Sequence, residues 1–144
     1  MGYLSRLSGP ILDRIDIHLW MHPVEPVKLI GMVGKRARGE TSAEVAARVL
    51  KAREVQKARF AGEGFSTNAE MGSSHLERFC PLDDECKDLM EKLITRQGLS
   101  ARAFSRIIKV ARTIADLAGS HDILPVHLAE ASAFRFLDRR NIGQ

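Results

Sequence analysis

The sequence predicts a mostly α-helical protein: a bundle of four main helices preceded by a short stub that contains one strand. Three observations carry that expectation. Apolar residues recur at helical spacing through most of the chain after Thr41. Most of these stretches open on a capping residue or a proline and close on a glycine. Ahead of them, one segment from Ile15 to Met21 alternates with the period of a strand.

The stub comes first. Ser8-Gly9-Pro10 breaks any earlier element. Ile15, Ile17, Leu19 and Met21 then share one face, and Asp16, His18 and Trp20 the other, so a strand is expected over about 15–21. His22-Pro23 ends it. Pro23, Pro26, Gly31, Gly34 and Gly39 mark a connector, with a short apolar turn at Val27 to Met32. A lone strand leaves its backbone donors and acceptors unpaired, and no later segment offers a partner. Residues 1–39 are therefore expected to be the end of a larger α/β unit plus a connector, poorly ordered or displaced over 1–38 without the rest of the sheet. Residues 40–144 are expected to form the helical domain.

The helices follow in order. Thr41-Ser42-Ala43-Glu44 is a capping box, in which hydroxyl and carboxylate each satisfy a backbone N–H. Its helix runs to about Phe60, with Ala46, Val49, Leu50 and Ala52 as the expected buried side. Gly62-Glu63-Gly64 stops it. A short helix is expected at Ser74 to Phe79. The next begins after Pro81, where Asp83, Asp84 and Glu85 suit a helix N-terminus; Cys86, Leu89, Met90, Leu93 and Ile94 form its apolar stripe, and Gly98 ends it. Ser100 caps the most regular helix, with Phe104, Ile107, Ile108, Ala111, Ile114, Ala115 and Ala118 on one side and Gly119 as its stop. Pro125 opens the last helix, with Leu128, Ala131 and Phe134 or Leu137 inward.

Bulk properties narrow the function. The chain has 144 residues, 44% of them hydrophobic, enough for one domain with a core. No apolar run could span a bilayer and Met1 to Arg6 lacks the apolar stretch of a secretory leader, so a cytoplasmic location without a membrane partner is expected. Cys80 and Cys86 are too few for a disulfide framework and lack zinc-site spacing, so both read as buried thiols. The formal charge is +4 and the pI about 9.4. The distribution says more. Lys35, Arg36, Arg38, Arg48, Lys51, Arg53, Lys57 and Arg59 face only Glu40, Glu44 and Glu54 in the same stretch, whereas Pro81 to Glu91 is acidic. One face can meet phosphates while another repels them. Arg48, Lys51, Arg53, Lys57 and Arg59 are the candidate phosphate or DNA contacts, with a solvated helix face as the plain alternative.

No complete catalytic motif is present. Gly34-Lys35 is followed by Arg36, and Leu29 stands where a phosphate loop needs its first glycine. No serine, cysteine or histidine lies in a nucleophile motif. His18 and His22 lack a third ligand, so no metal is expected. Two arginines at element boundaries remain. Arg14 sits just before the strand between Asp13 and Asp16, placed to project toward a neighbour or simply to pair with either aspartate. Arg102 sits in the first turn of a helix, where the dipole disfavours a cation unless an anion is near; otherwise it is a solvated arginine. Arg106 and Lys109 share its face and read as the wet side of that helix, and Arg112 can pair with Asp116.

Several blocks together resemble one family. Ser8 to Ile17, Gly39 to Ser42, Ala52 to Phe60, Gly98 to Phe104 and Ala111 to Gly119 are similar to the C-terminal part of the magnesium-chelatase-like AAA+ ATPases, especially their competence-associated, ComM-type branch. The resemblance spans Tyr3 to about Arg139. It implies that 1–39 ends an α/β ATPase core and that 40–144 is the helical AAA+ lid. Asp13-Arg14-Ile15-Asp16 resembles the S/D-R-F-D motif, with Ile15 for phenylalanine, whose arginine is the finger inserted into a neighbouring subunit's ATP site. Ser100-Ala101-Arg102 is similar to the second sensor motif, so Arg102 matches the arginine that reaches the γ-phosphate. The resemblance further implies ATP and Mg in the full-length protein, none held by this part alone, a homo-oligomeric ring such as a hexamer, a missing N-terminal ATPase core, and work on DNA. A freestanding basic helical module that binds nucleic acid is the alternative reading, and a protein-interaction module a third.

Overall fold

The computed structural model of the chain describes residues 9–12, 14–31 and 39–135. It is mostly helical. Two short helices, α1 (Gly9–Leu12) and α2 (Pro26–Gly31), precede α3 (Ser42–Arg59), a 3₁₀ turn at Asn68–Glu70, α4 (Ser73–Phe79), α5 (Asp84–Gln97), α6 (Ala101–Leu117) and α7 (Pro125–Ala133). Among the described residues, no helix is long and apolar enough to cross a membrane.

The helix ends follow from local chemistry. Thr41 Oγ1 accepts from the Glu44 backbone N–H at 3.2 Å, while Glu44 Oε2 accepts from the Thr41 N–H at 2.7 Å, which closes the expected capping box. Asp83 accepts from Cys86 N at 2.8 Å and Ser100 from Ala103 N at 3.1 Å. Each such cap gives a partner to a helix-end N–H that has none within the helix. Two further helices use an imidazole where a carboxylate is usual. His75 Nδ1 accepts from the Gly72 N–H at 2.9 Å to start α4, and His127 Nδ1 from the Leu124 N–H at 3.0 Å to start α7. Gly98 ends α5 at φ 60°, a left-handed conformation that a Cβ would strain.

α6 is the central helix, packed against α3, α4, α7 and the 3₁₀ turn. Its stripe is buried much as its spacing predicts: Ala103, Ile107, Ile108, Ala111 and Ala115 lie inside, Phe104 and Ile114 are half-buried, and Ala118 at the C-cap is exposed. Phe60, Met71, Leu76, Cys86, Met90, Ile123, Leu128 and Ala131 complete the core. Full burial of a side chain such as Ile107 or Leu128 contributes roughly 1.5–3 kcal/mol. Phe60 meets Phe65 and Phe79 at centroid distances of 4.7 and 5.1 Å, which seals the turn after α3. Both cysteines are buried and free. Burial pushes the Cys80 thiol up to about 11 and Cys86 to about 12. Leu137 lies outside the described residues.

Two expectations are corrected. The strand over 15–21 does not form: this stretch has no regular structure, and no strand occurs among the described residues. The four alternating apolar residues Ile15, Ile17, Leu19 and Met21 are exposed, and His18 of the other set is buried. The physical reason is the missing neighbour, since a strand's ladder needs a second strand. The segment attaches to the helices by other means. His18 N donates to Phe134 O at 2.7 Å, and the Arg135 guanidinium donates to the Ile15 carbonyl.

The second correction concerns α3. Ala46, Val49 and Leu50 are exposed, and Leu50 keeps 60% of its surface; only Ala52 of the expected set is buried. The first half of α3 projects past the bundle. Its C-terminal half docks on α6 through Ala52, Gln56 and the side chains that follow.

Candidate functional site

Arg14 follows α1 on an exposed turn. Its Nη1 donates to the Pro10 carbonyl at 3.0 Å. No carboxylate among the described residues pairs with it; Asp13 lies outside those residues, and the Asp16 carboxylate is engaged by Arg106. The Arg14 charge is thus not neutralised by Asp16.

Arg102 is the second residue of α6 and is exposed, with no partner among the described residues. The first turns of α3 and α5 carry acids, Glu44 and then Asp84 and Glu85, whereas that of α6 carries none. A cation at a helix N-terminus faces the positive end of the dipole, at a cost of about 0.3–1 kcal/mol. Nothing described in the chain offsets that cost.

The rest of that row is not the wet face expected. Arg106, one turn on, is half-buried and ion-paired with Asp16. Lys109 Nζ donates to the Ala69 carbonyl at 3.0 Å, and burial, with Arg106 nearby, holds its pKa below the usual value. Arg112 is buried. Its Nε donates to Asp116 at 3.1 Å, as the i,i+4 spacing allows, and its two Nη atoms donate to the carbonyls of His121 and Ser120 at 2.8 and 2.7 Å. Desolvation lowers its pKa, with Asp116 opposing.

Asp116 is the hub of a polar network that the sequence revealed only in part. Its carboxylate also accepts from both Nη atoms of Arg59 and from Asn68 Nδ2, the latter at 2.8 Å. Asn68 Nδ2 further donates to Thr113 Oγ1, and Gln56 Oε1 accepts from Asn68 N at 3.1 Å. The C-terminus of α3, the 3₁₀ turn and α6 are thereby joined. Arg59, expected as a phosphate contact, is committed to this network. The other basic candidates stay on the surface. Lys51, Arg53 and Lys57 are exposed, and Arg48 forms an exposed two-point pair with Glu40, which lowers the Glu40 pKa. Lys35, Arg36 and Arg38 lie outside the described residues.

Sequence reasoning did not anticipate the Asp16–Arg106 contact, although Asp16 stood in the quoted motif and Arg106 on the face of Arg102. Asn68, inside a polar loop, carried no signal at all.

Residues 39–135 match the family described as magnesium chelatase, subunit ChlI C-terminal. The chain is 47% identical over 139 residues to competence protein ComM of Haemophilus influenzae, covering 96% of this chain and 26% of that relative. It is 43% identical over 140 residues to the uncharacterized protein YifB of Escherichia coli and 38% over 139 to its namesake in Salmonella typhimurium, with the same coverage. The chain thus spans about a quarter of the length of the curated relatives it matches. The chain belongs to the magnesium-chelatase-like, ComM-type family, whose C-terminal domain it carries.

Proposed function

We propose that this chain is the lid and core-end portion of a magnesium-chelatase-like AAA+ ATPase and completes a nucleotide site held elsewhere in the ring. In this reading residues 40–144 are the lid and 1–39 the end of the α/β core. ATP and Mg bind the part of the full-length protein that this chain does not span. Arg102 reaches the γ-phosphate of a nucleotide that this chain does not itself hold. Arg14 reaches the nucleotide of the neighbouring subunit in a homo-oligomeric ring, such as a hexamer. The work done is DNA remodelling, in the cytoplasm.

The observation that carries the reading is the state of the two arginines. Each is exposed, and neither has a carboxylate partner among the described residues, while nearby Arg59, Arg106 and Arg112 are all committed to aspartates. An unpaired guanidinium suits the γ-phosphoryl group, whose charge spreads over its oxygens in the transition state. Its planar fork presents paired N–H donors in a fixed geometry that matches two phosphate oxygens, whereas lysine offers a rotatable point charge. Aimed there, one arginine contributes on the order of 10³–10⁵ in rate, about 4–7 kcal/mol.

In the full-length protein, Arg14→Ala is expected to nearly abolish ATP turnover and leave nucleotide binding intact. Unchanged turnover removes Arg14 from the site.

The alternative, a basic helical nucleic-acid module, draws on the exposed Lys51, Arg53 and Lys57 beside the projecting half of α3. Arg59 does not join that face. Affinity for DNA that is measurable at low salt and falls steeply with added salt supports it; no binding at low salt retires it.

A further inference from the structure

We propose that the projecting first half of α3 is a docking surface for an apolar, acid-bordered element of the N-terminal part of the full-length protein. This rests on membership of the family and not on the roles given to Arg14 and Arg102.

The surface continues one that the fold already uses. Ala52 and Gln56 are buried where α3 docks on α6. At about 100° per residue, Val45 and Val49 fall on the same face as those two, with Leu50 beside them. Beyond the bundle that face is uncovered: Val45, Val49 and Leu50 keep 40%, 45% and 60% of their surface. A cavity of about 360 Å³ carries it on to α6, where Thr113 and the exposed Leu117 line the space together with Val49, Ala52 and Gln56. A contiguous apolar patch with a polar rim marks an interaction site. The helix itself has reason to be covered, because a few turns without tertiary packing are marginal in water.

Charge states the chemistry of the occupant. Arg53 lies at the inner end of the apolar face and Lys57 flanks it, both exposed. Arg48 flanks the other side and shares its charge with Glu40. By the same spacing Glu44 and Glu54 fall on the far side of the helix. Acidic residues beside the occupant's apolar ones would therefore meet Arg53 and Lys57. A phosphate backbone would leave Val45, Val49 and Leu50 bare. A second α3 would set one basic border against another. The acidic α5 of a second copy has its own apolar residues Cys86 and Met90 buried. The remaining source is the rest of the protein: this chain covers 26% of the Haemophilus relative, so most of that relative's length lies outside the match.

Amide hydrogen exchange tests this on the full-length protein and on the 144-residue chain. Residues 44–51 should exchange more slowly in the full-length protein, by at least on the order of tenfold. Leu50→Asp, at an exposed position, should leave the urea midpoint of the 144-residue chain unchanged. In the full-length protein it should return residues 44–51 to the rates of the shorter chain, with the α6 amides still protected. Arg53→Glu should weaken the protection and Arg53→Lys should retain it. Equal rates in the two proteins overturn the proposal, and so does protection that survives either Leu50→Asp or Arg53→Glu. Protection in the 144-residue chain that grows with its own concentration assigns the face to a second copy. Protection that appears only with added duplex DNA assigns it to nucleic acid. Either result overturns the proposal. The ATPase reading fails separately, by unchanged turnover in Arg14→Ala.

Discussion

Replacing Asp116 with alanine removes the acceptor shared by Arg59, Arg112 and Asn68, and the structure allows the cost to be worked out. Asp116 is fully enclosed at its carboxylate and the Arg112 side chain is 3% exposed, so neither guanidinium recovers full hydration when the carboxylate goes. Two cations would then share the junction of α3 and α6 without an anion. Breaking a buried pair by deleting one partner costs about 3–5 kcal/mol, and loss of the Asn68 bond adds about 1 kcal/mol. For a chain of 144 residues each kcal/mol lowers Tm by roughly 3–5 °C, so Asp116→Ala should melt at least ~10 °C below the parent. Urea unfolding of the 144-residue chain, followed by circular dichroism, gives the free energy directly. Arg48→Ala, which breaks an exposed, solvent-screened pair with Glu40, is the control and should leave stability nearly unchanged. An Asp116→Ala loss no larger than that of Arg48→Ala would refute the reasoning, because the network would then be no more than a surface pair.

Other outcomes follow from the same geometry. Gly98→Ala forces a Cβ into a left-handed helix end at φ 60° and should destabilise the chain by about 1–2 kcal/mol by urea titration. Cys80 and Cys86, with thiols pushed up to about 11 and about 12 by burial, should resist iodoacetamide at pH 8 in the folded chain and react once it is unfolded. Glu44 is held below its ordinary 4.5 by the Thr41 backbone N–H and hydroxyl. A lowered folded value means stability present above 4.5 and lost as pH falls below it. Amide exchange at the start of α3 should therefore speed up between pH 5 and pH 3 beyond its intrinsic pH dependence, and Glu44→Gln should flatten that response.

Much of the helical domain was legible because its signals are local. Thr41 with Glu44, Asp83, Ser100, Gly98 and Pro125 each act within four residues of where they stand, and the structure uses each as the sequence implies. The stub was not legible in the same way. The alternation from Ile15 to Met21 is a true period of two, but a strand is made by its neighbour. Without one the segment takes its bonds from Phe134, Arg135 and Arg106. α3 misled for a related reason. Val49 and Leu50 are apolar at helical spacing, yet the helix outruns the bundle before they can be covered. Charge was the least legible property. Arg59, Arg102, Arg106 and Arg112 look alike in the sequence, and only the fold separates those committed to aspartates from the one left open.

The account's central claim is that this chain completes a nucleotide site held by another subunit. Subunit mixing tests it most directly. Full-length Arg14→Ala protein is combined with protein disabled in its phosphate loop, each inactive alone, and ATP turnover of the mixture is measured. The account predicts that turnover returns, because the intact Arg14 of one subunit can serve the intact phosphate loop of the other. A mixture as inactive as its two components, under conditions where the subunits exchange, would contradict it.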